Sequence, residues 1–372
     1  MRIALVHDYI KEYGGAERVL ETLHEIWPKA PVYTTVYLPK FLGPHRARFA
    51  KWDIRTSPLQ WIPMKGKLIS PFRVIDPWIF KSWDFSKYDV VIVSATGAYT
   101  PNLIKKGKAV HICYCHTPPR YLYGYPTARN WKNNAVFRVL GEVANHFMRM
   151  TDFEAAQLPD YFIANSKEVA ARIEKFYRRD STVIYPPADI PSINHQPLAI
   201  NRRGYYLAGG RLARPKRVDL AVKACTKLKL PLKVFGKEFA GYGEELRKMA
   251  GSTVEFLGEI SDEEKFRVMA GAKAFIFPAE FEDFGITPVE AMAVGTPVIA
   301  LFSGGVKETV IEGKTGIFFD EPTVKSLSSA IRSFDKSIHR SITSEACIRQ
   351  AQKFSKERFK KEVFRFIKLK SR

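Results

Sequence analysis

The segment EFEDFGITPVEAMAVGTPVIA, Glu280 to Ala300, gathers residues suited to holding a polyhydroxylated anion. Proline is well placed at the first helical position, where its missing N–H would have no partner anyway. The spacing therefore predicts a helix from Pro288 to Val294, stopping before Gly295. The loop Phe284-Gly285-Ile286-Thr287 then ends at a helix N-terminus, where free N–H groups and the positive dipole end favour an anion or a hydroxyl-rich ligand. Glu282 stands at the loop's entrance and Glu290 in the first turn, two carboxylates able to accept hydrogen bonds from ligand hydroxyls. The same residues would also serve as a helix cap and a solvated acidic turn. A second segment, GGRLARPKRVDLAV from Gly209, puts Arg211, Lys216 and Arg217 after a glycine pair. Glycine lets a backbone approach a ligand, Arg offers a planar fork to phosphate oxygens, and Lys a compact charge. Alone, it reads equally as a solvated basic turn.

Three further segments are weaker. Gly14-Gly15 in YGGAERV is not GxGxxG and lacks an acidic ribose anchor downstream. It suits an oligophosphate or acceptor group better than a dinucleotide. The run His111-Ile112-Cys113-Tyr114-Cys115-His116 invites a zinc reading, but alternation puts His111, Cys113 and Cys115 on one face and His116 off it. No second cluster completes four ligands. The cysteines read as small buried residues and His116 as a group at a strand's C-terminal end, with no metal expected. Between Lys40 and Lys81, nine Lys/Arg oppose Asp53 and Asp76, interleaved with Trp52, Trp61 and Trp78 and followed by Trp83. This composition suits an anionic membrane interface, stacking on single-stranded nucleic acid, or core aromatics under a solvated basic face.

These groups need elements to position them. Short apolar runs (Met1–Val6, Val32–Tyr37, Val90–Ser94, Val110–Tyr114, Tyr161–Ala164, Thr182–Tyr185) alternate with helical patterns such as Ala16–Ile26. That pattern predicts a parallel α/β sheet. Prolines 186, 187, 191 and 197 interrupt it, and the scheme restarts at Tyr205 with strand, Gly209-Gly210 and a helix from Arg217 to Leu228. Runs at Leu232–Phe235, Val254–Leu257, Ala274–Phe277, Pro297–Ala300 and Ile317–Phe319 continue it. The expected organisation is an N-terminal domain over 1–190, a Pro-rich linker over 191–204 and a C-terminal domain over 205–342. A helical segment over 343–372 carries an apolar stripe of Phe354, Phe359, Val363, Phe366 and Ile367.

The 372 residues suffice for two cores. Charged residues at 26% and apolar at 46% exclude a disordered chain. A net charge of +21 favours an anionic partner. Four cysteines make no disulfide scaffold, no apolar run reaches membrane-spanning length, and the first residues enter a strand at once. A reducing, cytoplasmic setting is expected.

Taken together, these residues resemble the retaining glycosyltransferases of family 4. The resemblance spans nearly the whole chain and is densest from Tyr205 to Asp320. It implies the GT-B fold, two Rossmann-like α/β domains facing across a cleft, with the C-terminal helix packing back on the N-terminal domain. The family's E-x7-E signature stands as Glu282 and Glu290, its phosphate-binding cations as Arg211 and Lys216, its glycine loop as Gly14-Gly15 and its sugar-site histidine as His116. By transfer, Glu282 and the backbone of Phe284, Gly285, Ile286 and Thr287 hold the donor sugar, and Glu290 holds the ribose. Ile260, Asp262 and Lys265 match positions that meet the base in some GDP-mannose users. The stretches HDYIKEYGGAERV and YCHTPPRYLY look like mannosyltransferases of surface-polysaccharide assembly. The resemblance implies GDP-mannose as substrate, no cofactor, and a saccharide or polyprenyl-diphosphate-linked acceptor; residues 40–85 match no general family motif, which leaves the acceptor open, and it is their basic, Trp-rich composition that suggests peripheral docking on the inner face of the membrane. No nucleic-acid recognition motif appears. A same-fold epimerase or hydrolase and a basic nucleic-acid-binding protein are the alternatives, separable by product analysis and by salt-dependent RNA binding.

Overall fold

The computed structural model describes residues 1–97, 100–127, 135–191, 204–336 and 341–371, and they form two compact units. The predicted linker falls almost wholly on 192–203, outside the described residues.

The first unit carries a seven-stranded parallel sheet: β1 (Ile3–His7), β2 (Val32–Thr34), β3 (Ile54–Thr56), β4 (Val90–Ala95), β5 (Val110–Cys115), β6 (Tyr161–Ala164) and β7 (Thr182–Val183), in the order β3-β2-β1-β4-β5-β6-β7. Its helices are α1 (Gly15–Ile26), α2 (Lys65–Phe72), α3 (Asp76–Ser82), α4 (Ala135–Ala156) and α5 (Lys167–Tyr177). The central strands are buried on both faces because helices cover both, which is why they read as continuous apolar runs. Alternation divides them between two cores: Leu5, Ile92, Ile112 and Tyr114 on one side, Val6, Val93, Cys113 and Cys115 on the other.

The second unit repeats the plan with β8 (Tyr206–Gly209), β9 (Leu232–Phe235), β10 (Val254–Gly258), β11 (Phe275–Phe277), β12 (Val298–Leu301) and β13 (Gly316–Phe319), in the order β10-β9-β8-β11-β12-β13. Around it lie α6 (Val218–Leu228), α7 (Tyr242–Met249), α8 (Asp262–Ala270), α9 (Ile286–Ala293), α10 (Val306–Thr309), α11 (Val324–Lys336) and α12 (Ser344–Gln352). Every strand pairing in both sheets is parallel. In each sheet the chain order reverses once, between β1 and β4 and between β8 and β11. Ligands of open α/β sheets bind beyond the carboxyl ends of the strands at such reversals.

The chain end is two helices, not one. α12 belongs to the second unit, and α13 (Lys356–Lys370) returns to the first. Phe359, Val363, Phe366 and Ile367 enter the core beside Leu5, Ile92 and Tyr114. Arg358 donates to the Tyr185 carbonyl at 2.8 Å, and Lys360 pairs with Glu25 at 2.6 Å. Phe354 leaves the expected stripe, because it precedes α13 and packs edge-on against Phe284 of the second unit instead. No described helix is long and apolar enough to cross a membrane.

Candidate active site

In the second unit, the loops after β8 and β9 meet backbone to backbone. Gly236 has φ +131°, and a Cβ built on it would lie 1.6 Å from the Gly210 carbonyl oxygen. Only glycine fits there. The contact turns Gly210 toward α9, where its Cβ position would lie 3.6 Å from Thr287 Oγ1. A 3-10 turn over Arg214–Lys216 follows, and the Pro215 carbonyl accepts from the Glu280 N–H at 3.3 Å. The glycine turn with its cations and the acidic loop, predicted separately, thus stand side by side at the β8/β11 reversal.

Their pairing differs from expectation. Lys216 and Glu282, expected to meet different parts of a ligand, meet each other: Lys216 Nζ donates to both carboxylate oxygens at 2.7 Å. Arg217, the residue before α6 rather than its first helical residue, has φ +49° and pairs with Glu280 and Asp219. Arg211 is exposed, with its guanidinium 6.0 Å from the Phe239 ring centroid.

α9 begins two residues earlier than the sequence predicts. Gly285, at φ +90°, precedes it, so Ile286 and Thr287 are already helical and Pro288 is third. The first four N–H groups of a helix have no intrahelical partner, so proline is tolerated at the third position as well as the first. Glu290 accordingly lies in the second turn, only 3% exposed. Lys265 of α8 donates to it at 2.9 Å and to Asp262 at 3.0 Å. Ile260, half-buried, immediately precedes Ser261, whose hydroxyl caps α8 by accepting from the Glu264 N–H at 3.1 Å. Two of the three positions matched to a nucleotide base, Asp262 and Lys265, therefore sit beside the carboxylate matched to the ribose. Phe284 is buried, and the Glu282 carbonyl accepts from Gly305 N–H at 2.7 Å, which fixes the loop's entrance.

In the first unit, Gly14 precedes α1 in an extended conformation, and its N–H donates to Glu17 Oε2 at 2.9 Å; Gly15 opens the helix. His116 follows β5, buried, with Nε2 3.0 Å from Ser94 Oγ. Ser94 in turn lies 3.2 Å from His7 Nδ1, and His7 Nε2 lies 3.9 Å from Glu17 Oε1. A buried polar line thus joins His116 to the glycine loop across the β1/β4 reversal. Sequence reading missed Ser94, His7 and Glu17; the available signal was a polar residue at or next to the end of each of two otherwise apolar strands. His111 lies apart from this line, on Asn102 at 3.2 Å, and burial pushes its pKa down to about 3, so it is neutral.

Asp76, also missed, is 7% exposed at the start of α3. Burial, reinforced by Asp8 and opposed by Arg73, pushes its carboxyl up to about 7. The native state then holds a proton that the unfolded chain releases near pH 4. This contribution to stability is complete below that pH and is lost as pH rises through 7. Each tenfold change in proton affinity between the two states corresponds to about 1.4 kcal/mol. Asp76→Asn should therefore stabilise the protein by roughly 2–4 kcal/mol at pH 8, and by little at pH 4. Urea titrations at both pH values would show it; equal effects at both would refute the assignment.

Comparison with known proteins bears on this arrangement. The family Glycosyltransferase Family 4 matches residues 13–191, and Glycosyl transferases group 1 matches 191–354. The chain belongs to the family 4 glycosyltransferases. Alpha-1,3/1,6-mannosyltransferase ALG2 of Mus musculus is 26% identical over 320 residues, covering 76% of this transferase and 73% of that protein. The structure of Anabaena Alr3699/HepE in complex with UDP and glucose matches at a TM-score of 0.73 with 19% identity, covering 99% of both chains. Sucrose-phosphate synthase from Thermosynechococcus elongatus matches equally, at 0.73 with 18% identity and 99% of each chain. These two likenesses show the fold, GT-B, of the transferase's paired parallel-sheet units.

Proposed function

We propose that this glycosyltransferase moves a mannosyl group, with retention, from GDP-mannose to a saccharide or polyprenyl-diphosphate-linked saccharide in polysaccharide assembly. The observation that carries the reading is the convergence of Arg211, Lys216, Glu282 and the Lys265–Glu290 pair around the start of α9. Similarity to mannosyltransferases supports the sugar. Arg211 and Lys216 hold the diphosphate and stabilise its charge as the sugar–oxygen bond breaks. Glu282 and the backbone of Phe284 to Thr287 hold the sugar, and Glu290 the ribose hydroxyls. Ile260, Asp262 and Lys265 lie toward the base. His116, aligned through Ser94 and His7, serves the sugar.

Both signature carboxylates are engaged in binding, so the departing phosphate takes the acceptor proton on the same face. Two fixed cations do the work of a divalent metal. The membrane-facing part of the first unit includes residues 40–85, which bring the enzyme to a lipid-linked acceptor. Within that stretch, Trp52 stacks on His24 and Trp83 packs on Phe80, while Trp61 and Trp78 are exposed.

A thermal-shift screen of nucleotide sugars tests the donor. GDP-mannose should raise the melting temperature more than UDP-glucose, because a ligand stabilises the state it binds, and EDTA should leave both shift and turnover intact. Preference for a UDP sugar would overturn the donor, and loss of turnover in EDTA the metal-free mechanism.

A further inference from the structure

α4 is amphipathic in the wrong sense for a helix on the surface of a water-soluble domain. Its inward face is anchored by polar groups. Asn145 donates to the Tyr121 carbonyl at 3.4 Å, and Asp152 accepts from Tyr123 and Tyr177 at 2.6 and 3.2 Å. Ala155 and Ala156 complete that face. Its outward face carries Val139, Leu140, Val143, Phe147 and Met150, each more than half exposed. At 100° per residue these five fall within one stripe roughly 100° wide, which exposed Glu154 closes at its C-terminal end, opposite Asn145, Asp152 and Ala156. A surface helix ordinarily turns such a stripe to the core. A contiguous exposed apolar row of this kind marks an interaction surface.

α3 and α4 both pack on the turn Pro101–Leu103, and α3 exposes Trp78 with Ile75 just before it. Trp61 and Met64, exposed ahead of α2, add to the first unit's apolar surface. Close to these residues in the chain come half-buried Lys65, whose ammonium donates to the Gln60 carbonyl, and exposed Lys67 and Lys81. Lysine is depleted at protein–protein interfaces. One unit exposing an aliphatic helix face, tryptophans and lysines suits a bilayer, where the apolar face would enter the acyl boundary, the indoles sit at headgroup level and the ammonium groups meet anionic phosphates.

We propose that the outward face of α4 is the principal membrane anchor of this enzyme. It lies on an anionic bilayer, with α3 and the basic residues of α2 as its electrostatic border. This deepens the membrane part of the function proposed above and rests on it for its biological sense. Residues 40–85 supply attraction, and α4, outside that stretch, supplies insertion. Attraction brings the chain to the surface from a distance of about one Debye length and weakens with salt. Insertion of the aliphatic stripe then resists salt.

Flotation of the full chain with vesicles tests this. With equimolar phosphatidylcholine and phosphatidylglycerol, wild type should float; with phosphatidylcholine alone, it should bind far less. The variant Leu140→Ser, Phe147→Ser, Met150→Ser changes only exposed positions, so its melting temperature should match wild type. Its partition onto mixed vesicles should fall by about a hundredfold, the apolar contact of three side chains being lost. Lys65→Glu, Lys67→Glu, Lys81→Glu should also release the protein, and more so at low salt than at high. Undiminished binding of the serine variant, or of the charge-reversed one, overturns the proposal. So does a wild-type dimer in lipid-free light scattering that the serine variant converts to monomer, since the face would then join two copies of the chain. Donor-induced thermal shifts, measured on the same preparations, should be equal in wild type and serine variant. Failure of wild type to bind any sugar nucleotide while still floating would remove the functional reading and leave the anchor standing.

Discussion

Lys216→Ala should lower kcat/KM for donor by about 10²–10³, equivalent to the 2.7–4 kcal/mol typical of losing one transition-state donor. The side chain is positioned for this by the Gly236–Gly210 backbone contact and the turn over Arg214–Lys216, and its ammonium lies 2.7 Å from Glu282. The pair is partly exposed, 27% and 13%, so its loss should change stability by no more than about 1 kcal/mol. The expected signature is therefore a folded protein with normal unfolding and crippled turnover. Glu282→Gln should differ: transfer falls, while binding of free nucleoside diphosphate, which lacks the sugar, stays near wild type. A folded Lys216→Ala protein with unchanged kcat/KM would remove the lysine from the site.

Lys265→Ala should have the largest effect on stability. Its side chain is 11% exposed and that of Glu290 4%, with 2.9 Å between the charged groups. Removing one member of a buried pair leaves an uncompensated charge and typically costs about 3–5 kcal/mol. Urea unfolding of the variant should show that loss. The double variant Lys265→Met, Glu290→Leu separates fold from function. Apolar side chains of similar size should restore most of the stability. Nucleotide binding should stay lost, because Glu290 is the proposed partner of the ribose. A single variant as stable as wild type would refute the buried pair. A double variant that binds nucleotide normally would refute the role of Glu290.

Much of this was legible in the chain because it is local. Buried parallel strands announce themselves as continuous apolar runs, and glycine pairs after β1 and β8 mark turns where the backbone approaches a ligand. The glycine at 285 and the proline at 288 located the start of α9 to within two residues. They could not fix it, since three successive positions tolerate a missing N–H. The apolar stripe of the last helix was also readable, except for Phe354, whose partner Phe284 lies 70 residues earlier and leaves no periodic trace; that the helix packs back on the first unit was implied by the family resemblance, not by the stripe.

What the tertiary structure alone decided is which of these residues face one another. Sequence spacing named Lys216, Glu282, Lys265 and Glu290 but assigned each a ligand. Folding pairs Lys216 with Glu282 across 66 positions and Lys265 with Glu290 across 25. Ser94 reaches His116 across 22 and His7 across 87, because β4 lies between β1 and β5 in the sheet. The orientation of α4 is of the same kind. Apolar residues recurring at the helical period make a stripe, but a helix can turn either side to the sheet. Asn145 and Asp152 hold its polar side inward through partners on distant segments, and the apolar side is left outward. Periodicity is set by the chain's own geometry, whereas facing is set by contacts between segments whose separation in sequence carries no information about their distance in space.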